Sequence, residues 1–327
     1  MANLTENGNY TTTGLGFSCS LGLGTAQKIF ISTINLPLSI FAVIGNLLII
    51  ITLRRVSCLH PPSKLLLSCL ACTDLGVGLI SHPLFCVYLM APEHSRVCFF
   101  SSLLSLITGS IFCGVSSSTI TAISVDRLLA LSLGLRYKQV VTMRRVKALT
   151  GTHWVLSTMI MSVVFMSYRI CQGIISAMIL LGITISSFCY TKIYRTLRLS
   201  QAQVQRQGHQ GQQNEEATPL NKARYKKTVS AALWVQMALL ACYLPFALVH
   251  GFASITEHET PLFYFVSSLS ISLTFSNSTI NPILYCWRMR EMKRAVKHTI
   301  RQFCCYPNEE NKKHRDFNKM RWQSTAL

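Results

Sequence analysis

One carboxylate stands alone in a long apolar stretch. Asp74 is the single charged residue among the 28 between Lys64 and Glu93. A polar group in hydrocarbon is costly unless something satisfies it, so an ionisable residue there is a functional candidate. Counting helical turns from the ends of the other apolar stretches puts Ser116, Asn277, Ser278 and Asn281 at similar depth, with Asn46 at mid-depth in the first. An acid among neutral oxygens either stays protonated or holds a small hard cation such as sodium. The plainer alternative is a hydrogen-bonded network that joins helices. Asp126-Arg127 ends another apolar stretch. It is either a local interfacial pair or a switch in which Arg127 is held in one state and released in another. Pro245 and Pro282 each sit inside an apolar stretch, where proline removes a helix hydrogen bond and permits a kink. A kinked helix can swing its inner end, as a conformational switch requires. Enzymatic chemistry has no comparable support. It would need a His/Asp metal cluster or a nucleophile beside a base, and Asp74 is the one acid deep within these stretches.

The elements that position these residues follow from where charge is missing. Half of the 327 residues are apolar and 13% are charged, against about a quarter charged in soluble domains. The uncharged stretch between Lys28 and Arg54 has 25 residues, that between Arg96 and Asp126 has 29, and that between Lys227 and Glu257 has 29. Lys147 to Arg169 encloses 21, Arg169 to Lys192 encloses 22, and Glu259 to Arg288 encloses 28. A helix needs about 20 apolar residues to cross the hydrocarbon core. Residues 148–191 as one helix would run about 66 Å, longer than any bilayer is thick, so the chain turns near Arg169. The expected fold is therefore an all-α membrane protein: a seven-transmembrane helix bundle. Its spans fall near 29–53, 65–90, 98–131, 148–166, 173–198, 226–254 and 262–287.

Orientation follows from the basic residues. The segments 54–64, 127–147, 192–227 and 288–321 hold 28 of the 31 Lys and Arg. The expected topology has residues 1–27 outside, a seven-span domain over 28–287, and the C-terminus in the cytoplasm of a multi-pass plasma-membrane protein. The net charge of +19 is then a positive-inside signal. Nucleic acid is excluded as a partner because the basic residues sit on four short loops instead of one surface. A transporter or channel is the alternative class, but it calls for several intramembrane charges or inverted repeats, and neither is visible.

Residues 1–24 lack the basic start of a secretory leader, so the first span is expected to serve as the targeting signal. Asn3 and Asn9 head glycosylation sequons in that tail. The Gln-rich 200–213 stretch has the composition of a disordered loop. Residues 288–303 alternate Lys/Arg with apolar residues at helical spacing, the pattern of a short amphipathic eighth helix on the inner leaflet, in contact with the lipid bilayer. Cys304 and Cys305 begin the 304–327 tail and are candidate palmitoylation sites. The terminal Ser324-Thr325-Ala326-Leu327 can add a strand to the groove of a PDZ protein. Three cysteines face outside: Cys19, Cys98 and Cys171. Sequence leaves their connectivity open; Cys98 with Cys171 is the pair expected.

Together these residues resemble the rhodopsin-like (class A) G-protein-coupled receptors. The marks are Gly45-Asn46, Leu70-Ala71-Cys72-Thr73-Asp74, Asp126-Arg127-Leu128, Trp154, Tyr190, Cys242-Tyr243-Leu244-Pro245 and Asn281-Pro282-Ile283-Leu284-Tyr285, one per span in order. The resemblance implies a receptor that binds an extracellular ligand and activates heterotrimeric G proteins through a swing of the sixth helix, with arrestin as a further partner. It implies a sodium pocket at Asp74, Ser116, Asn277 and Asn281. Asp126, Arg127, Tyr190, Tyr243, Pro245, Pro282 and Tyr285 match the activation switches. Arg127 and Leu135 match G-protein contacts. The second inner loop and the very short fourth-to-fifth loop look most like the melanocortin, adenosine and cannabinoid cluster. There are departures. Leu128 stands where Tyr is usual, Tyr243 where Trp is usual, and Tyr225 where many relatives carry an acid that locks the arginine. Less restraint implies ligand-free activity.

The resemblance also narrows the ligand. The amine-receptor aspartate would fall at Gly109, and the melanocortin acids at Leu84, Ser102 and Leu106. The adenine-reading asparagine of adenosine receptors is His250 here, and the seventh span has no lysine for retinal. The implied pocket comprises Phe85, Gly109, Phe112, Tyr243, Phe246, His250 and Phe275. It suits a non-aminergic small molecule, a lipid or a peptide end.

Overall fold

The computed structural model describes residues 3–4, 10–11, 22–55, 59–93, 95–208, 217–256, 260–288, 293–294, 296–297 and 299, with side chains given outside 3–4, 10–11, 200–235 and 285–288. Its elements are β1 (Asn3–Leu4), β2 (Tyr10–Thr11), α1 (Thr25–Arg55), α2 (Pro61–Gly76) and a π-turn (Val77–Ser81). Then come α3 (His82–Met90), α4 (Arg96–Leu133), the short α5 (Tyr137–Val140), α6 (Met143–Ser162), α7 (Tyr168–Gly208), α8 (Ala217–Ile255) and α9 (Pro261–Arg288). Strands β1 and β2 pair antiparallel. The seven spans are α1, α2 with α3, α4, α6, α7, α8 and α9. Among the described residues, six of these are long and apolar enough to cross a bilayer on that criterion alone. The seventh, α9, is rich in Ser and Asn and supplies much of the polar interior.

Local signals set the helix ends. Pro61-Pro62 opens α2 where a missing N–H costs nothing. The Ser95 hydroxyl accepts from the Cys98 amide to cap α4, and Thr142 caps α6 through the Arg145 amide. Gly134, at φ +50°, ends α4 in a conformation that side chains rarely adopt. Residues 293–294, 296–297 and 299 of the expected eighth helix are helical; the rest of 288–303 and all of 304–327 lie outside the described residues.

The burial pattern is inverted relative to a soluble protein. Asp74, Asn35 and Asn46 are fully buried, whereas Phe41 is 62% exposed and Ile44 60%. Apolar side chains on the outside and amides within are what lipid as solvent demands. α4 is the central rod, packed on α2, α3, α6 and α7, while α1 closes the ring against α9.

That α1–α9 seam is tight. A Cβ on Gly45 would stand 2.9 Å from Cγ of Pro282, a rigid ring. Gly45→Ala is expected to force the two helices apart and destabilise the protein by about 1–3 kcal/mol, measurable as a lower melting temperature in detergent with a thiol-reactive dye.

Candidate functional site

The deep polar site is built from three helices. α2 delivers Asp74 just before the π-turn, α4 delivers Ser116, and α9 presents Ser278 and Asn281, three residues apart, on one face. Ser116 Oγ and Ser278 Oγ each donate to Asp74 Oδ1 at 3.0 Å. Asn281 Nδ2 donates to Oδ2 at 2.7 Å. The sequence expectation for Asp74, Ser116 and Asn281 thus describes one constellation. Asn277 stands apart from the carboxylate: its Nδ2 donates to the Tyr243 hydroxyl at 3.3 Å. Tyr243 is buried, and it ties α8 into the polar site through its neighbour on α9.

Proline chemistry explains the next connection. Pro282 has no N–H, so the carbonyl four residues earlier, Ser278, lacks its helical donor. Asn46 Nδ2 fills the gap, donating to Ser278 O at 2.9 Å and to Ala42 O at 2.9 Å. Asn46 Oδ1 is left buried with no hydrogen-bond partner. The π-turn has a similar remedy: Ser39 Oγ donates to Gly78 O at 2.7 Å. In the turn before Pro245, Thr274 Oγ1 donates to the Cys242 carbonyl at 3.2 Å.

The inner site centres on Asp126. Tyr137 of α5 donates its hydroxyl to Oδ1 at 2.6 Å, and Ser63 of α2 donates to Oδ2 at 3.0 Å. Arg127 Nε lies 3.8 Å from the same Oδ2, so the sequence-adjacent pair is formed. Ser63 and Tyr137 were not singled out from the sequence, because nothing in spacing shows that α2 and α5 converge on α4. Tyr190 is buried beside Ile193, with Leu128 and Leu197 around them, and its hydroxyl has no partner. Leu135, just past the end of α4, is 98% exposed. The side chains of Tyr225 and Tyr285 lie outside those described, as do Asn9, Cys19, Cys304, Cys305 and Leu327.

The outer cavity holds about 410 Å³ between α3, α4, α7, α8 and α9. Phe85, Gly109, Phe246, His250 and Phe275 line it. His250 stacks on Phe246, with centroids 4.1 Å apart, and its Nε2 sits 3.2 Å from Ser267 Oγ. Gly109 makes room for Phe275, whose ring edge would be 2.9 Å from a Cβ there. Sequence reasoning missed Tyr88, Tyr264 and Gln172, which also line the cavity; the resemblance pointed to aromatic positions deeper in the spans.

Three expectations are corrected. Tyr243 does not line the cavity: it is fully buried below it, with its hydroxyl turned to Asn277. Phe112 is not in the cavity wall. It falls off the α4 stripe of Ser102, Ser105, Gly109 and Cys113 that faces the cavity. Its ring packs on Gly76 and edges onto Trp154, with centroids 6.2 Å apart. The Cys98–Cys171 disulfide is not formed. Cys171 is a free thiol, buried with Met161 and Val164 and donating to Ile160 O at 3.5 Å. The first turn of α7 aims it at α6. Cys98 is disulfide-bonded, and no described free cysteine is its partner.

An acid at the crossing of α2, α4 and α9, an Asp-Arg pair closing α4 and a cavity above them are features of a signalling bundle. The profile of the rhodopsin family of seven-transmembrane receptors matches residues 45–172 and 164–285. The chain belongs to that family. Adenosine receptor A2a of Canis lupus familiaris is 25% identical over 82% of this chain and 71% of its own length. Adenosine receptor A3 of Ovis aries is 25% identical over 80% and 87%, and melanocortin receptor 5 of Bos taurus is 25% identical over 90% and 91%. The protein is thus a multi-pass membrane G-protein-coupled receptor, with an extracellular ligand and a G protein as partners. The family is one of receptors, not of enzymes, and nothing favours a transporter or channel over it.

The cysteine correction is directly testable. Alkylation of denatured, unreduced receptor followed by peptide mapping is expected to label Cys171, and to label Cys98 only after reduction. A Cys98–Cys171 peptide in the unreduced digest would contradict the structure.

Proposed function

We propose that this receptor takes a neutral or weakly anionic, largely apolar ligand in its outer cavity and passes the signal inward through Tyr243 and the Asp74 cluster to Arg127. The observation that carries the ligand class is the cavity wall. Among its described residues Arg169 is the one charged side chain and none is acidic; apart from Gln172, Cys113 and Met166 the rest are aromatic, aliphatic, glycine or hydroxyl-bearing. A cationic amine finds no counter-ion there, and an apolar body with a hydrogen-bonding or anionic end is matched. The volume lies within the about 300–1,000 Å³ usual for small-molecule sites. The adenosine receptors this chain resembles are named for adenosine and the melanocortin receptor for melanocortin; His250 and the acid-free wall argue for a different ligand.

The same reading places sodium at Asp74. Its surroundings offer one carboxylate, the hydroxyls of Ser116 and Ser278 and the amide oxygen of Asn281, all hard donors. The unpartnered Asn46 Oδ1 adds a buried acceptor on the adjoining helix. Sodium bound there would neutralise the carboxylate and favour the inactive arrangement. On activation, α8 bends at Pro245 and its inner end swings out, exposing Arg127 beside the exposed Leu135 to the G protein. The N-terminus faces outside the plasma membrane and carries glycans at Asn3 and Asn9. The tail faces the cytoplasm, with palmitate on Cys304 and Cys305, and arrestin and a PDZ protein as further partners.

The test is nucleotide exchange on purified G proteins by full-length receptor in nanodiscs, with no ligand added. Exchange above that of empty nanodiscs is expected, falling as sodium replaces choline. Asp74→Asn is expected to abolish that sodium dependence, and Arg127→Ala to lower exchange at least several-fold. A wild-type response identical in sodium and choline would remove the ion from the account. A ligand screen with the same readout is expected to yield organic anions or neutral lipids; an activating cationic amine would overturn the ligand class.

Tyr243→Phe isolates the link between cavity and ion site. It removes only the hydroxyl that accepts from Asn277, leaving a buried amide donor unpaired at a cost of about 1–3 kcal/mol. The sodium dependence of basal exchange is expected to shift while expression and cavity shape persist. An unchanged sodium titration would show that the phenol is only packing.

A further inference from the structure

A second cavity opens on the lipid-facing side of the bundle; it adjoins the outer pocket through the shared walls Ser110, Gly114, Ile175 and Ile179, and none of the Asp74 site lines it. α4, α6 and α7 enclose about 600 Å³ there, from Val140, Val141 and Arg145 at the inner boundary to Met161 and Ile175 in the outer half. The gap exists because α6 is pinned at few points. Only Val146 and Met161 are buried along Met143–Ser162. The back wall is a small-residue face of α4, with Gly114, Ser117, Ser118 and Thr121, and α7 adds Ile179 and Gly182.

The hydroxyls on that wall are already used. Ser117 Oγ donates to Gly114 O at 3.0 Å, Ser118 Oγ to Val115 O at 3.1 Å and Thr121 Oγ1 to Ser117 O at 3.0 Å. The α4 face therefore asks for no hydrogen bond; on the α6 side His153 Nδ1 is the one buried polar atom of the lining without a partner, and a flexible hydrocarbon chain can run along the apolar remainder. From Arg145 to Ile160 it runs about 22 Å along α6, more than half of the ~30 Å hydrocarbon core.

The charged end is at the cytoplasmic boundary. Arg145 is exposed, and its Nη1 donates to Val140 O at 2.8 Å. A guanidinium has five N–H donors in a fork that suits phosphate oxygens. Arg144 and Lys147 flank it in the first turn of α6. Asp126 also reaches this end of the crevice, but its oxygens receive Tyr137 and Ser63.

We propose that this crevice binds one acyl chain of an anionic phospholipid of the cytoplasmic leaflet, with the phosphate held by Arg145. A sterol is the competing occupant: the unpartnered His153 Nδ1 can meet its hydroxyl, but a neutral sterol leaves the Arg145 guanidinium at the mouth without an anion.

The experiment reconstitutes full-length receptor in phosphatidylcholine nanodiscs. These are doped with phosphatidylglycerol or phosphatidylcholine carrying a mid-chain diazirine, and the labelled peptides are mapped by mass spectrometry. The phosphatidylglycerol probe is expected to label the 110–129, 146–161 and 175–185 segments about fivefold more than the phosphatidylcholine probe, one basic residue's worth of attraction. Arg145→Gln is expected to bring the two probes level. Ser117→Leu, which fills the back wall, is expected to lower labelling by both. Equal labelling of the wild type by the two probes, or label spread evenly round the bundle, would overturn the proposal. So would full displacement of the anionic probe by cholesterol, which would make the crevice a sterol site. The wild-type comparison decides even if a variant fails to fold.

Discussion

A carboxyl group sealed from water has to be matched by donors that cannot move far, and in this receptor that requirement sets where three helices meet. Asp74 is fully buried and accepts three hydrogen bonds, two from hydroxyls and one from an amide. In a low-dielectric interior such bonds are stronger than in water, and leaving one unmade is correspondingly expensive. α2, α4 and α9 are therefore held in register by their polar residues more than by their apolar ones. In lipid, apolar surface gains little from meeting other apolar surface.

The irregular turns of backbone extend this control outward. At two such places a side chain from a neighbouring helix takes up the backbone group that the regular pattern leaves. Asn46 serves the carbonyl released by Pro282, and Ser39 serves the π-turn. Such repairs join neighbouring rods at the points where they can bend. Tyr243 stands at the centre of this system. Its ring lies in the buried core and its hydroxyl meets Asn277, one residue from Ser278. A ligand that shifts Phe246 and His250, on the next turns of the same helix, has a short physical route to the acid. At the far end of α4, Tyr137 and Ser63 hold Asp126, so this carboxylate is clasped by α2 and α5 as well as by Arg127.

Much of this was legible in the sequence, for a definite reason. Charge is so costly in hydrocarbon that uncharged stretches of 21 to 29 residues reveal the spans, and a lone Asp74 among them reveals the polar site. Ser116 and Asn281 could be placed by depth because helical rise is fixed. What depends on rotation about the helix axis was less legible. Phe112 shares a turn with Gly109 yet packs on Gly76 and Trp154, and Asn277 faces Tyr243 instead of the carboxylate. Cysteine pairing was not legible at all, since Cys171 is turned toward α6 by the start of α7. The Tyr137–Asp126 contact depended on where α5 folds back, which no local pattern encodes.

The central claim is that Asp74 governs the inner end of α8 through the helices it joins. Spin labels on the inner ends of α4 and α8, read by double electron–electron resonance in nanodiscs, measure that coupling directly. The account predicts that Asp74→Asn adds a longer-distance population absent from the wild type under the same ionic conditions. Superimposable distance distributions for the two proteins would contradict it.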